Sequence, residues 1–121
     1  MENNNIVDFE IVKNNFGGNE ALIQEMLIVF LRTLPDEVRQ LQTSFEKKDW
    51  QTLREIVHRL KGGGSYCGTS RLNHVCTRLE EVILANEKEM ISSLYQQLMV
   101  EIEKVKEVIS QWNDRFCQAA V

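Results

Sequence analysis

The chain has 121 residues, 43% apolar and 26% charged, with one proline, six glycines and a net charge of −4. That is enough for one domain with its own core, too apolar for wholesale disorder, and too poor in proline and glycine for a turn-rich β sandwich. The negative balance disfavours a generic nucleic-acid binder, and no apolar run approaches the ~18 residues of a membrane span.

In chain order, Ile6–Phe16 is short and amphipathic and is expected to form a helical lid over one end of the fold. Gly17 and Gly18 then precede Asn19, a helix cap for a segment whose stripe is Leu22, Ile23, Met26, Leu27, Phe30, Leu31 and Leu34. Pro35 should break or kink this helix, which resumes with Val38, Leu41 and Phe45 on one face. Asp49 caps a third segment over about 50–67, with Trp50, Leu53, Ile56, Val57, Leu60 and Cys67 inward. Gly68 stops it, and Thr69 or Ser70 caps the next, carrying Leu72, Val75, Cys76, Leu79, Val82 and Ile83 up to Asn86. The last segment alternates steps of four and three from Ile91 through Leu94, Leu98, Ile102, Val105, Ile109 and Trp112 to Phe116. That is a bundle seam of about 25 residues, close to 40 Å of helix. No segment alternates with the period of a strand. Four amphipathic helices on short links bury their stripes most simply in an all-α, antiparallel four-helix bundle, here with a short N-terminal helix added.

The unusual segment is Val57-His58-Arg59-Leu60-Lys61-Gly62-Gly63-Gly64-Ser65-Tyr66-Cys67-Gly68. On a helix, His58 turns away from Leu60 and shares a face with Arg54, Lys61, Gly62 and Ser65. A neutral imidazole is a competent nucleophile, and a phosphoryl group placed on it would be an anion that Lys61 can neutralise. Gly62 leaves the approach to the ring open. Three glycines inside a helix cost roughly 1 kcal/mol each relative to alanine, so either access or close helix packing is needed there. Tyr66 and Cys67 resume the apolar phase after the glycines, which favours a helix running through them. A lone exposed histidine is otherwise an ordinary solvated residue, and a glycine run an ordinary helix end.

His-x-Leu-Lys-Gly followed by small residues on the second of four helices resembles the histidine-containing phosphotransfer (HPt) domain. So do Gly17-Gly18-Asn19-Glu20-Ala21-Leu22 before a helix through Phe30-Leu31 and Leu34-Pro35, and Asp49-Trp50 with the following Leu53. Tyr66-Cys67-Gly68-Thr69-Ser70-Arg71-Leu72 is most similar to the form at the C-terminus of BarA-type tripartite hybrid sensor kinases. The resemblance covers essentially the whole chain, which makes residues 1–121 a single HPt domain. It implies that His58 is the phosphoacceptor at Nε2, that Lys61 neutralises the phosphoryl group, that Gly62 clears the ring face, and that Ser65 lies on the same accessible face. Many family members carry a glutamine near the active histidine on the next helix, and the aligned residue here is Glu80. A carboxylate there could orient His58 through a ring N–H but would repel a phosphoryl group; a salt bridge with Arg78 or Lys61 is the other reading.

Other chemistry is weaker. His58, Cys67, His74 and Cys76 match no zinc spacing, so no metal is expected. Lys61-Gly-Gly-Gly-Ser is not a phosphate loop, since neither the full motif nor a preceding strand is there. Nine residues of helix, about 13 Å, separate His58 from Cys67, too far for a catalytic pair. Cys67 and Cys76 read as core, and the odd count with Cys117 points to reduced thiols in the cytoplasm.

The implied function is a relay without kinase motifs. It accepts a phosphoryl group from the aspartate of one receiver domain and passes it to the aspartate of a response regulator. The expected chain is a monomer with no cofactor of its own, the Mg²⁺ residing on the receiver, and with neither nucleic acid nor membrane as partner. The alternative is a non-catalytic helical interaction module. Residues 44–80 hold seven cations (Lys47, Lys48, Arg54, Arg59, Lys61, Arg71, Arg78) against four anions (Glu46, Asp49, Glu55, Glu80), a local +3 that would steer an acidic receiver towards His58. Arg54, Arg59, Ser65 and Glu80 are therefore the expected partner-binding residues.

Overall fold

The computed structural model describes residues 6–119, with side chains to residue 115. It contains five helices: α1 (Phe9–Asn15), α2 (Glu20–Glu46), α3 (Trp50–Tyr66), α4 (Ser70–Leu84) and α5 (Lys88–Ala119). No strand occurs among the described residues. α2 to α5 pack as neighbours around one apolar core, and α1 lies across α2 and α3.

Most boundaries sit where the sequence puts them, for the capping reasons given. Asn19 accepts from the Leu22 amide at 3.1 Å and Asp49 from the Thr52 amide at 3.2 Å. Asp8, unremarked in the sequence, caps α1 by accepting from Glu10 and Ile11. Asn86 closes α4 in the left-handed region, with φ at +57°.

Of the break or kink expected at Pro35, the break does not occur: the residue lies inside one continuous 27-residue helix. Proline forfeits a single backbone hydrogen bond there, while Phe30, Leu34 and Leu41 stay in phase and buried on both sides of it. Packing of that stripe outweighs the local loss, as tertiary contacts generally do in helices of globular proteins. Leu22, assigned to the stripe, is exposed; its neighbour Ile23 takes the inward position. Tyr66 likewise faces solvent, 62% exposed, and only Cys67 continues the inward phase of α3. The α5 seam is buried from Ile91 to Ile109, and Trp112 packs at its edge against Phe9. The side chains of Phe116 and Cys117 lie outside the described residues.

Residues Val7 and Val12 are fully buried, which fixes α1 over the α3–α4 turn. The Asp8 amide donates to the Gly68 carbonyl at 2.8 Å. Gly68 has φ at +69°, and any β-carbon on it would overlap the Asp8 backbone, so both conformation and space demand glycine. The N-terminal segment thus braces the far end of the helix that carries His58.

Candidate phosphotransfer site

α3 runs unbroken through Gly62, Gly63 and Gly64. The three glycines turn out to answer three different needs. A β-carbon on Gly62 would meet nothing within 4 Å, so this position keeps open space on the surface. One on Gly63 would lie 3.3 Å from the Phe30 ring, so here α3 presses against α2. One on Gly64 would overlap Thr69 Oγ1 and the Asn73 amide, so here α3 meets the start of α4. Access and close packing, the two readings of the run, hold at different residues.

His58 stands on the solvent face between these contacts, its side chain 72% exposed. Its Nδ1 lies 3.1 Å from Glu80 Oε1 on α4. The other carboxylate oxygen, Oε2, lies 3.4 Å from Lys61 Nζ. Lys61 is 28% exposed and Glu80 only 15%, so the carboxylate sits beneath the imidazole and the ammonium. One carboxylate thus contacts both His58 and Lys61, and Arg78 has no ion pair among the described residues.

Ser65 is on the same face of α3. Its hydroxyl donates to the Lys61 carbonyl at 2.9 Å and lies 3.1 Å from the Asn73 amide. The Asn73 side chain also reaches Thr69 Oγ1 at 3.2 Å, and Thr69 Oγ1 donates to the Gly64 carbonyl at 3.0 Å. Asn73 and Thr69 thus pin the C-terminal turn of α3. Sequence alone did not single out Asn73, since nothing in one chain pairs residues across two helices.

The two arginines differ. Arg54 is half-buried and makes no ion pair among the described residues. Arg59 crosses to α2, its Nε and Nη2 each 3.2 Å from a Glu37 oxygen and Nη2 2.9 Å from Gln40 Oε1. The ion pair of Arg59 thus runs across helices and not along its own. Arg71 is also tied, at 2.8 Å from Glu101 on α5.

Cys67 and Cys76 are buried. Burial pushes their thiols up to about 11 and about 12, and the charge of Glu80 adds to the effect at Cys76 while Lys61 opposes it. These are inert core thiols. No three His, Cys, Asp or Glu side chains among the described residues gather where they could hold a metal. Among the same residues no helix is long and apolar enough to cross a membrane.

Residues 25–112 match the family model described as Hpt domain. The chain belongs to the Hpt domain family. The function that accompanies this membership is histidine phosphotransfer within a phosphorelay. Among curated relatives, the phosphorelay intermediate protein rdeA of Dictyostelium discoideum is 27% identical over 105 residues, 87% of this chain and 41% of rdeA. The signal transduction histidine-protein kinase BarA of Escherichia coli (strain K12) is 23% identical over 86 residues, 71% of this chain and 9% of BarA. The chain therefore spans less than half the length of either relative. The crystal structure of histidine-containing phosphotransfer protein B (HptB) from Pseudomonas aeruginosa PAO1 superposes with a TM-score of 0.81 at 26% identity, covering 90% of this chain and 95% of HptB. The Hpt bundle and the resemblance to the BarA-type domain expected from the sequence are both upheld.

Proposed function

We propose that His58 is the phosphoacceptor of this domain, taking a phosphoryl group at Nε2 from a receiver aspartyl phosphate and returning it to the aspartate of a second receiver. The observation that carries this reading is the exposure of His58 on a rigid helix, beside a cation and facing an open glycine. With Nδ1 turned towards Glu80, the ring presents Nε2 away from the protein.

Lys61 neutralises the added charge. Gly62 gives the receiver's loops room to reach the ring. Ser65 belongs to the same contact face, held in place by Asn73. Around it the surface offers apolar side chains for a short-lived contact. Tyr66 stands one turn beyond Gly62, and on α2 the exposed Leu22 and Val29 recur seven residues apart. Val29 adjoins Phe30, whose ring abuts Gly63. Arg54, without an ion pair among the described residues, supplies steering charge towards the receiver's carboxylates; Arg59 supplies less, because Glu37 already offsets it. A small interface of this type suits fast release.

The receiver brings the aspartate and the Mg²⁺; this domain acts as a monomer, in the cytoplasm, with no metal or cofactor of its own. The 121 residues carry no nucleotide-binding motif, which supports a relay role without kinase activity. Incubation with a phosphorylated receiver tests the reading. Acid-labile, base-stable phosphate should pass to the chain, and a chain that stays unlabelled under turnover conditions refutes it.

A further inference from the structure

At the end of the bundle where α2 turns into α3 and α5 begins, Phe45, Lys48, Trp50, Lys88 and Ser92 line an open cleft of about 530 Å³. That volume falls within the roughly 300–1,000 Å³ of small-molecule sites. Its aromatic wall is fixed from behind. The Phe45 ring stacks on Tyr95 with centroids 3.9 Å apart and meets Trp50 edge to face at 5.9 Å. The charged groups in the lining are two lysines. The clefts beside Asp49 and beside Glu87 and Glu89 include carboxylates; the lining of this one has none. Lys48 also holds a backbone conformation that works against it. It is the second residue past α2, with φ at +55°, in the left-handed region that glycine adopts freely and other residues rarely. The equivalent residue past α4 is Asn86 at +57°, a type that tolerates this conformation. After α2 the tolerant residue gives way to a lysine that lines an aromatic cleft. Disfavoured backbone of this kind clusters at ligand clamps.

We propose that this cleft binds a small planar aromatic phosphate, of the class of a nucleoside monophosphate. The ring lies against Trp50 and Phe45. The phosphate sits between the Lys48 and Lys88 ammonium groups, with the Ser92 hydroxyl as a further donor. Stacking on aromatic side chains accepts any base, because each has a π-face, and two ammonium groups match the charge of a phosphate monoester. Trp50 and Lys88 are also the first residues of α3 and α5, helix ends whose partial positive charge favours an anion; Asp49 already meets part of that charge at α3. The ligand is bound and not consumed, since no phosphate loop accompanies the cleft. Trp50 precedes His58 by eight residues, about 12 Å of α3, so an occupant leaves the imidazole clear. The proposal stands independently of which histidine takes phosphate.

The test follows the indole N–H signals of Trp50 and Trp112 by NMR as adenosine, guanosine or uridine monophosphate is added to the chain. Trp112 is the internal reference, because it packs against Phe9 about 30 Å along α5 from Ser92. At least one nucleotide should shift the Trp50 signal saturably, with a Kd of about 1 mM or tighter, and leave Trp112 unmoved. The parent nucleoside lacks the phosphate and ribose 5-phosphate lacks the ring. Each should bind at least about tenfold more weakly. Lys48→Gly and Lys88→Ala should weaken binding several-fold, and added salt should do the same to wild type. Lys48→Gly should at the same time raise the urea midpoint, because glycine is the favoured residue at this conformation past a helix end. A Trp50 signal that none of the three nucleotides moves, or a Lys48→Gly chain that binds as tightly as wild type, overturns the proposal. So does ribose 5-phosphate bound as tightly as the nucleotide, which would leave the aromatic wall without a role. A Lys48→Gly chain with a lower urea midpoint also overturns it, by assigning Lys48 to the fold.

Discussion

Arg59 on α3 is forked onto Glu37 of α2, with two nitrogens each 3.2 Å from a carboxylate oxygen, while Arg54, on the same helix, has no such partner among the described residues. Two arginines that look equivalent in the sequence therefore have different work. Arg54→Ala should slow transfer from a limiting receiver several-fold, and that loss should shrink as salt rises from about 50 to 300 mM, where screening acts over 10 Å or less. Arg59→Ala should slow transfer less. Its exposed ion pair should contribute no more than about 1 kcal/mol to stability. Rates that are flat in salt and indifferent to Arg54→Ala would leave Lys61 as the cation that matters, acting on the phosphoryl group itself.

The glycine run gives a second set of outcomes. Gly62→Ala should stabilise the fold by up to about 1 kcal/mol, because the added methyl meets nothing and alanine is the better helix former. Gly62→Gln should stay folded and lose transfer by crowding the imidazole. Gly64→Ala should destabilise by about 1–3 kcal/mol, because its methyl must displace Thr69 and Asn73. Urea denaturation and a transfer assay on the three variants check this. A Gly62→Gln chain that is inactive because it is unfolded would assign the glycine to packing.

That contrast marks how far the sequence reaches. Apolar periodicity and caps are local properties, so they located α3 and α4 within a residue, found α2 and α5 without the full extent of either, and placed His58 and Lys61 on one exposed face. Periodicity could not say which of three adjacent glycines faces solvent, because the answer lies in Phe30 on α2 and in Thr69 and Asn73 beside α4. The pairing of Arg59 with Glu37 was illegible for the same reason: the partners are 22 residues apart and meet only once the helices pack. At Pro35 the local cost of a break is visible in the sequence, and the packing that keeps the helix continuous is not.

The buried thiols predict an alkaline weakness. Cys76 ionises in the fold only near 12, against an ordinary value of 9.0, and Cys67 near 11. Both groups are raised in the folded state, so the unfolded chain releases their protons first. The stability they contribute is complete below about pH 9 and is lost as pH climbs towards 11–12. The urea midpoint should fall across that window, and the fall should be shallower in Cys76→Ala even though the cavity lowers its starting midpoint. An identical slope in wild type and variant would show that burial of this thiol plays no part.

The central claim is that one imidazole carries the phosphoryl group. The most direct measurement is to label the chain from a radioactively phosphorylated receiver, digest it and locate the phosphate. The account predicts one phosphoryl group, on His58, lost in acid and kept in base. In His58→Gln the label should be absent from a chain with unchanged helical content and melting temperature. Label that persists in His58→Gln, or that maps to His74, contradicts it.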